Sequence, residues 1–214
     1  MAEEPHPQLT EVLAMTADAP NFEDVGVKEA REAFEAIDAD SDKFGGNGTI
    51  AVGGDSAGAN LASGISLLAR DAVAIGDDAP DIAHQLLYYP VCSAPFETYD
   101  SREENAEGYF LEQSTIEWFD DQYVDSPAHA RNEYLAPLLI EDLSGLPSTA
   151  VITAGFDPLR DEGIAYAEAL AEDGVDVNHT HYDAMIHGFI SFLGTVDAAE
   201  DAIAVGAAGL ESIE

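Results

Sequence analysis

The chain has 214 residues and a mass of 22.7 kDa, which is room for one domain with a sizeable core. At 46% apolar residues and a mean hydropathy of −0.07, the composition excludes an unfolded chain. Asp and Glu number 43 against 7 Lys and Arg, a net charge of −36, and such a surface repels phosphate backbones and anionic lipid, excluding nucleic acid and membrane surfaces as partners.

Residues 1–40 have helical patterning: Leu9, Val12, Leu13 and Met15 in a first segment, then Val25, Val27, Ala30, Phe34 and Ile37 in a second. The first residues, Met1-Ala2-Glu3-Glu4, lack the basic-then-apolar pattern of a secretory signal, and no apolar run reaches membrane-spanning length. A cytoplasmic protein is the expectation. A polar, Gly-rich break follows over 38–48 (DADSDKFGGNG). Thr49-Ile50-Ala51-Val52 then forms a short strand that enters Gly53-Gly54-Asp55-Ser56-Ala57-Gly58, with a helix predicted to about Ile75.

Gln85 to Tyr89 reads as a second strand, ended by Pro90. An insert over 92–147 carries one predicted helix, from about Glu112 to Tyr123, with the single tryptophan, Trp118. Thr149 to Ala154 is a third strand, followed by Asp157-Pro158 and a helix to about Ala171 with Asp161 and Glu162 in its first turn. Gly174 closes that helix, Val175 to Tyr182 alternates as a last strand, and a helix runs from about Asp197. Strands separated by helices predict an α/β fold with a mostly parallel sheet.

The turn Gly54-Asp55-Ser56-Ala57-Gly58 fits G-x-S-x-G between a strand and a helix. Small residues flank the serine because a sharp turn must bring two chain segments close while lifting the hydroxyl out. A Gly-rich turn without chemistry gives the same pattern, so the serine needs partners: a base, and a carboxylate to orient it. His187 follows the last strand and Asp157 follows the one before, so Ser56, Asp157 and His187 occupy three strand ends in the order an α/β-hydrolase uses. Pro158 keeps Asp157 extended and outside the coming helix.

Other constellations are weaker. His179 and His181 form an H-x-H on one strand face, but no third metal ligand is spaced nearby and a solvated face is the plainer reading. Asp161 reads as a helix start and not as the acid. His6, His84 and His129 sit in polar surroundings and receive no role. Phe189, Phe192 and the Tyr88-Tyr89 pair read as core, and Cys92, alone in the chain, as a small buried hydrophobe that excludes disulfides and multi-Cys metal sites.

The stretches GDSAGANLA (54–62), YYP (88–90), ENAEGYFLEQSTIEWFDDQYV (104–124), LAPLLIEDLSGLPSTAVITAGFDPLRDEGIAYAEALAEDGVDV (135–177) and YDAMIHGFISFLG (182–194) closely resemble the hormone-sensitive-lipase group of carboxylesterases. The resemblance runs nearly unbroken from about residue 47 to 195, and residues 7–37 are similar to that group's N-terminal cap helices. It implies cap-like helices over 1–40 and a partial α/β-hydrolase domain over 41–214. It also implies Ser56 as nucleophile, Asp157 as acid, His187 as base, and hydrolysis of small carboxylic esters with neither cofactor nor metal. The backbone N–H of Ala57, the residue after the nucleophile, is then one oxyanion donor.

One departure from the group stands out. Its HGGG loop, which supplies the other oxyanion donors, does not occur in this sequence. The cap-like helices pass through Asp38-Ala39-Asp40 almost directly into the nucleophile strand, where the family places four strands and two helices, on the order of a hundred residues. The nucleophile strand is therefore expected at a sheet edge, open to pairing with a second copy, and the oxyanion site is expected to be short of donors. A degenerate, non-catalytic binding protein and a lyase stay open beside the esterase. The acid coat with only two lysines, Lys28 and Lys43, is similar to that of proteins from salt-loaded cytoplasm, so a halophilic protein is expected.

Overall fold

The computed structural model describes residues 49–214 apart from Asp78, Asp125, Ser212 and Glu214, together with Glu35 and Ala39. The expected cap-like helices over 1–40 otherwise lie outside the described residues. Among the described residues four strands form one parallel sheet in the order β1 (Ile50–Asp55), β2 (Ile82–Tyr88), β3 (Ser148–Phe156) and β4 (Val177–Ile186). The helices are α1 (Ala57–Ala74), α2 (Asp100–Glu104), α3 (Gln113–Tyr123), α4 (Arg160–Glu172) and α5 (Asp197–Glu211). The expected α/β fold with a parallel sheet is what the chain adopts.

The sheet is covered on both faces. Alternation along β3 sends Val151 toward Leu67 of α1 and Tyr166, Ala167 and Leu170 of α4. Its neighbours Ala150, Ile152 and Ala154 point the other way, toward Ala199 and Ala202 of α5 and toward Phe189. A strand buried on both sides is mostly apolar, which is why Ala150-Val151-Ile152 reads as a short hydrophobic run. Helix α5 lies close against β2 because its contact face is small. A Cβ on Gly206 would come within 2.7 Å of Leu86 and would collide with the Tyr88 hydroxyl. That hydroxyl donates to the Ala202 carbonyl at 3.3 Å.

Among the described residues β1 pairs only with β2 and so stands at the end of the sheet. Its Ile50 and Val52 are half-buried and pack against Ile65 of α1 and Ile82 of β2. Tyr88, Tyr89 and Phe189 are buried core, as expected, and so is Cys92, whose thiol burial pushes up, away from reactivity. His84 departs from the expectation of polar surroundings. It is buried in β2, with Nδ1 on the Ser148 hydroxyl at 2.8 Å, and burial lowers its pKa. Neighbouring Ser148 and Thr149 side chains serve His84 and Gln85, so two polar residues sit inside an otherwise apolar strand.

Candidate active site

The carboxyl ends of β1, β3 and β4 lie along one edge of the sheet, and the residue following each is Ser56, Asp157 and His187. Ser56 occupies φ 55°, ψ −120°, a conformation that side chains rarely adopt, and its N–H donates to the Tyr88 carbonyl at 2.9 Å. The turn closes so tightly that a Cβ on Gly54 would sit 2.3 Å from the Gly58 carbonyl carbon. Gly54 is therefore obligatory, and the half-buried Ser56 hydroxyl is held clear of the sheet. Ala57 opens α1, so its N–H belongs to the first turn, where no intrahelical acceptor exists.

His187 bridges the other two residues. Its Nδ1 lies 2.8 Å from Asp157 Oδ2 and its Nε2 2.9 Å from Ser56 Oγ. A carboxylate accepts only, so its partner assigns the proton to Nδ1 and leaves Nε2 free to accept from the serine hydroxyl. Asp157 is fully buried, and its second oxygen accepts the Leu159 N–H at 2.8 Å. Both carboxylate oxygens are thus occupied, as a buried charge requires. The Tyr89 ring lies 4.6 Å from the His187 ring and walls one side of it. Tyr89 itself holds φ 36° at the end of β2, and burial, with the Asp55 and Asp157 charges behind it, raises its phenol pKa strongly.

The competing residues go elsewhere. His179 Nε2 and His181 Nδ1 both meet Thr153 Oγ1 at 2.8 Å, and His181 Nε2 lies 3.3 Å from Asp183. Burial lowers both pKa values. Among the described residues no group of three or more metal-ligating side chains converges. Asp161 stands in the first turn of α4, accepting from the Ser101 N–H and pairing with Arg160, and does not reach His187. A cavity of about 180 Å³ lies behind the Asp157 loop and not above Ser56, lined in part by Asn105, Tyr109, Phe156, Arg160 and His181. Sequence reasoning missed Asn105, which donates to the Asp157 carbonyl at 3.2 Å. No periodicity or motif spacing marks it.

A family model described as the alpha/beta hydrolase fold matches residues 22–191. The chain belongs to that family. Relatives of this alpha/beta hydrolase include the carboxylic ester hydrolase LipN of Mycobacterium tuberculosis, 40% identical over 168 residues, covering 77% of this chain and 44% of LipN. The carboxylesterase NlhH of the same species is 36% identical over 190 residues, covering 87% of this chain and 58% of its own. Among solved structures, EstE1, a thermostable carboxylesterase cloned from a metagenomic library, superposes with a TM-score of 0.80 at 35% identity, covering 88% of this chain and 63% of EstE1. The alpha/beta hydrolase chain spans about half the length of the curated relatives it matches.

Proposed function

We propose that this chain is a serine carboxylesterase acting on small or short-chain acyl esters. The observation that carries the reading is the His187 bridge, 2.8 Å to Asp157 and 2.9 Å to Ser56, in a chain whose relatives are named ester hydrolases. In this reading Ser56 Oγ attacks the ester carbonyl carbon while His187 Nε2 takes its proton. The tetrahedral intermediate collapses, and the alkoxide leaves with the proton from Nε2. Water then attacks the acyl-enzyme, giving its proton to Nε2, and Ser56 is restored as the acid departs. Asp157 keeps the proton on Nδ1 and stabilises the imidazolium in both halves.

The Ala57 N–H is the donor the elbow offers to the developing oxyanion. With no HGGG in the sequence, turnover is expected well below that of a relative carrying it, since one lost donor typically costs about 10²- to 10³-fold. The test is hydrolysis of p-nitrophenyl acetate and butyrate in concentrated KCl, with organophosphate labelling read by mass spectrometry. Label on Ser56, and loss of both label and turnover in Ser56→Ala, is the expected result. An unlabelled Ser56 with no turnover in the parent chain favours the non-catalytic binding protein.

The reading extends to a halophilic, cytoplasmic enzyme that pairs with a second copy along β1. The charge argument is specific. All four described arginines are engaged within the chain, Arg70 with Asp71, Arg102 with Glu162, Arg160 with Glu104 and Asp161, and Arg131 over the Phe96 ring. Little cationic charge is left to offset the acids, so solvent cations must screen them. The Debye length shrinks from about 30 Å at 0.01 M salt to about 3 Å at 1 M. Far-UV circular dichroism is expected to show structure lost on dialysis to low salt and retained in concentrated KCl, while sedimentation in KCl shows a dimer. A melting temperature indifferent to salt overturns the first expectation, and a monomer the second. No helix among the described residues is long and apolar enough to cross a membrane.

A further inference from the structure

The loop that carries Asp157 is held from outside its own strand and helix. Its carboxylate is occupied by His187 and the Leu159 N–H, but the backbone on either side needs its own anchors. Asn105, buried, donates its side-chain amide to the Asp157 carbonyl at 3.2 Å. Ser101, fully buried, donates its hydroxyl to the Pro158 carbonyl at 2.8 Å, and its N–H reaches Asp161 Oδ2 at 2.8 Å. In return the Asp161 N–H donates to the Ser101 hydroxyl at 3.2 Å. Both loop carbonyls, at 157 and 158, therefore accept from side chains of one short stretch of the insert, the Asp157 carbonyl also taking the Arg160 N–H at 3.1 Å.

That stretch is α2 with the residue after it, and five residues are too few for a helix to hold itself in place. Its position is fixed by ion pairs to α4. Arg102 reaches Glu162 at 2.7 Å with both partners buried, and Glu104 reaches Arg160 at 2.8 Å. Ser101, Arg102, Glu104 and Asn105 thus all bind residues 157–162, and the insert grips the start of α4 from the side.

We propose that Asn105 and Ser101 are positioning residues, which keep Asp157 Oδ2 on His187 Nδ1 by fixing the backbone of the acid loop. The inference rests on the esterase reading for its kinetic consequence, though not for its geometric one. A 2.8 Å hydrogen bond is lost if the loop moves by about 1 Å, and a misplacement of that size can cost on the order of 10²-fold in rate.

The test uses the full chain in concentrated KCl, with the variants Asn105→Ala, Asn105→Asp and Ser101→Ala. Asn105→Asp keeps the shape of the side chain but turns a donor into an acceptor facing a carbonyl oxygen. If filling space were all that mattered, it would behave as the parent. Two readings are taken on each folded variant: the kcat and KM for p-nitrophenyl acetate, and the low-field proton resonance of His187 Nδ1, with Asp157→Asn as the reference for its loss. We expect kcat to fall roughly 10- to 100-fold for Asn105→Ala at unchanged KM, at least as far for Asn105→Asp, and the low-field resonance to weaken in both. Parent-like kcat and resonance in Asn105→Asp overturn the proposal. So does a KM defect with the resonance intact. Should Asn105→Asp fail to fold, Asn105→Ala and Ser101→Ala decide by the same two readings. If the parent chain hydrolyses no ester, the esterase reading fails, while the resonance still tests whether Asn105 holds Asp157 to His187.

Discussion

Asp157→Asn is expected to lower the kcat for p-nitrophenyl acetate by about 10⁴-fold while the chain stays folded. The reason is a proton, not a shape. Asp157 Oδ2 accepts from His187 Nδ1 at 2.8 Å, and its Oδ1 accepts the Leu159 N–H. An asparagine that keeps its oxygen on the Leu159 N–H must aim its amide at Nδ1. The ring then shifts its proton to Nε2, which faces Ser56 Oγ at 2.9 Å and can no longer accept the serine proton. Asp142→Asn supplies the contrast, because that exposed carboxylate accepts the Ser144 N–H and lies off the His187 chain. Circular dichroism confirms folding in each case, and a kcat for Asp157→Asn within tenfold of the parent removes Asp157 from the mechanism.

The three residues of the site were legible because each sits where a strand stops. β1 and β3 are apolar enough to be found by composition and β4 by its alternation, and a residue one step past each strand must lie on the same edge of a parallel sheet. Strand lengths were less legible. β4 was expected to end at Tyr182 but continues to Ile186, past a register shift between Ala154 and Phe156 on β3. That irregularity falls at Gly155, where a Cβ would collide with the Asp183 carbonyl, a close approach no local pattern encodes. The short helix α2 was invisible for a related reason. Ser101, Arg102 and Asn105 are polar residues in a polar stretch, and their burial comes from partners about 50 to 60 residues along the chain. The same holds for His179 and His181, whose shared partner Thr153 belongs to the neighbouring strand. Periodicity reports which face is apolar, and says nothing of which polar group waits on the other side.

The largest loss of stability is expected at the ion pair behind that short helix. Arg102 is 8% exposed and Glu162 not at all, and the guanidinium gives both Nε and Nη2 to Glu162 Oε2, at 3.2 and 2.7 Å. The same carboxylate accepts the Cys92 and Ser93 N–H groups through Oε1 and the Ser93 hydroxyl through Oε2. Asp120 on α3 also feels this guanidinium, although burial prevails and raises its carboxyl to about 6. Arg102→Met therefore leaves Glu162 as a buried charge without a counter-ion, and breaking such a pair typically costs about 3–5 kcal/mol. For a domain of this size that corresponds to a fall in melting temperature on the order of 10 °C. The double variant Arg102→Met with Glu162→Gln is expected to regain much of the loss. The introduced amide would still accept from the Cys92 and Ser93 N–H groups through its oxygen, and its nitrogen could donate to the Ser93 hydroxyl, with no charge left buried. Thermal melts of the two single variants and the double, in one concentrated KCl buffer, measure the coupling directly. A single Arg102→Met variant within about 1 kcal/mol of the parent, or a double that falls by the sum of the singles, means that the pair is not what fixes α2 against α4.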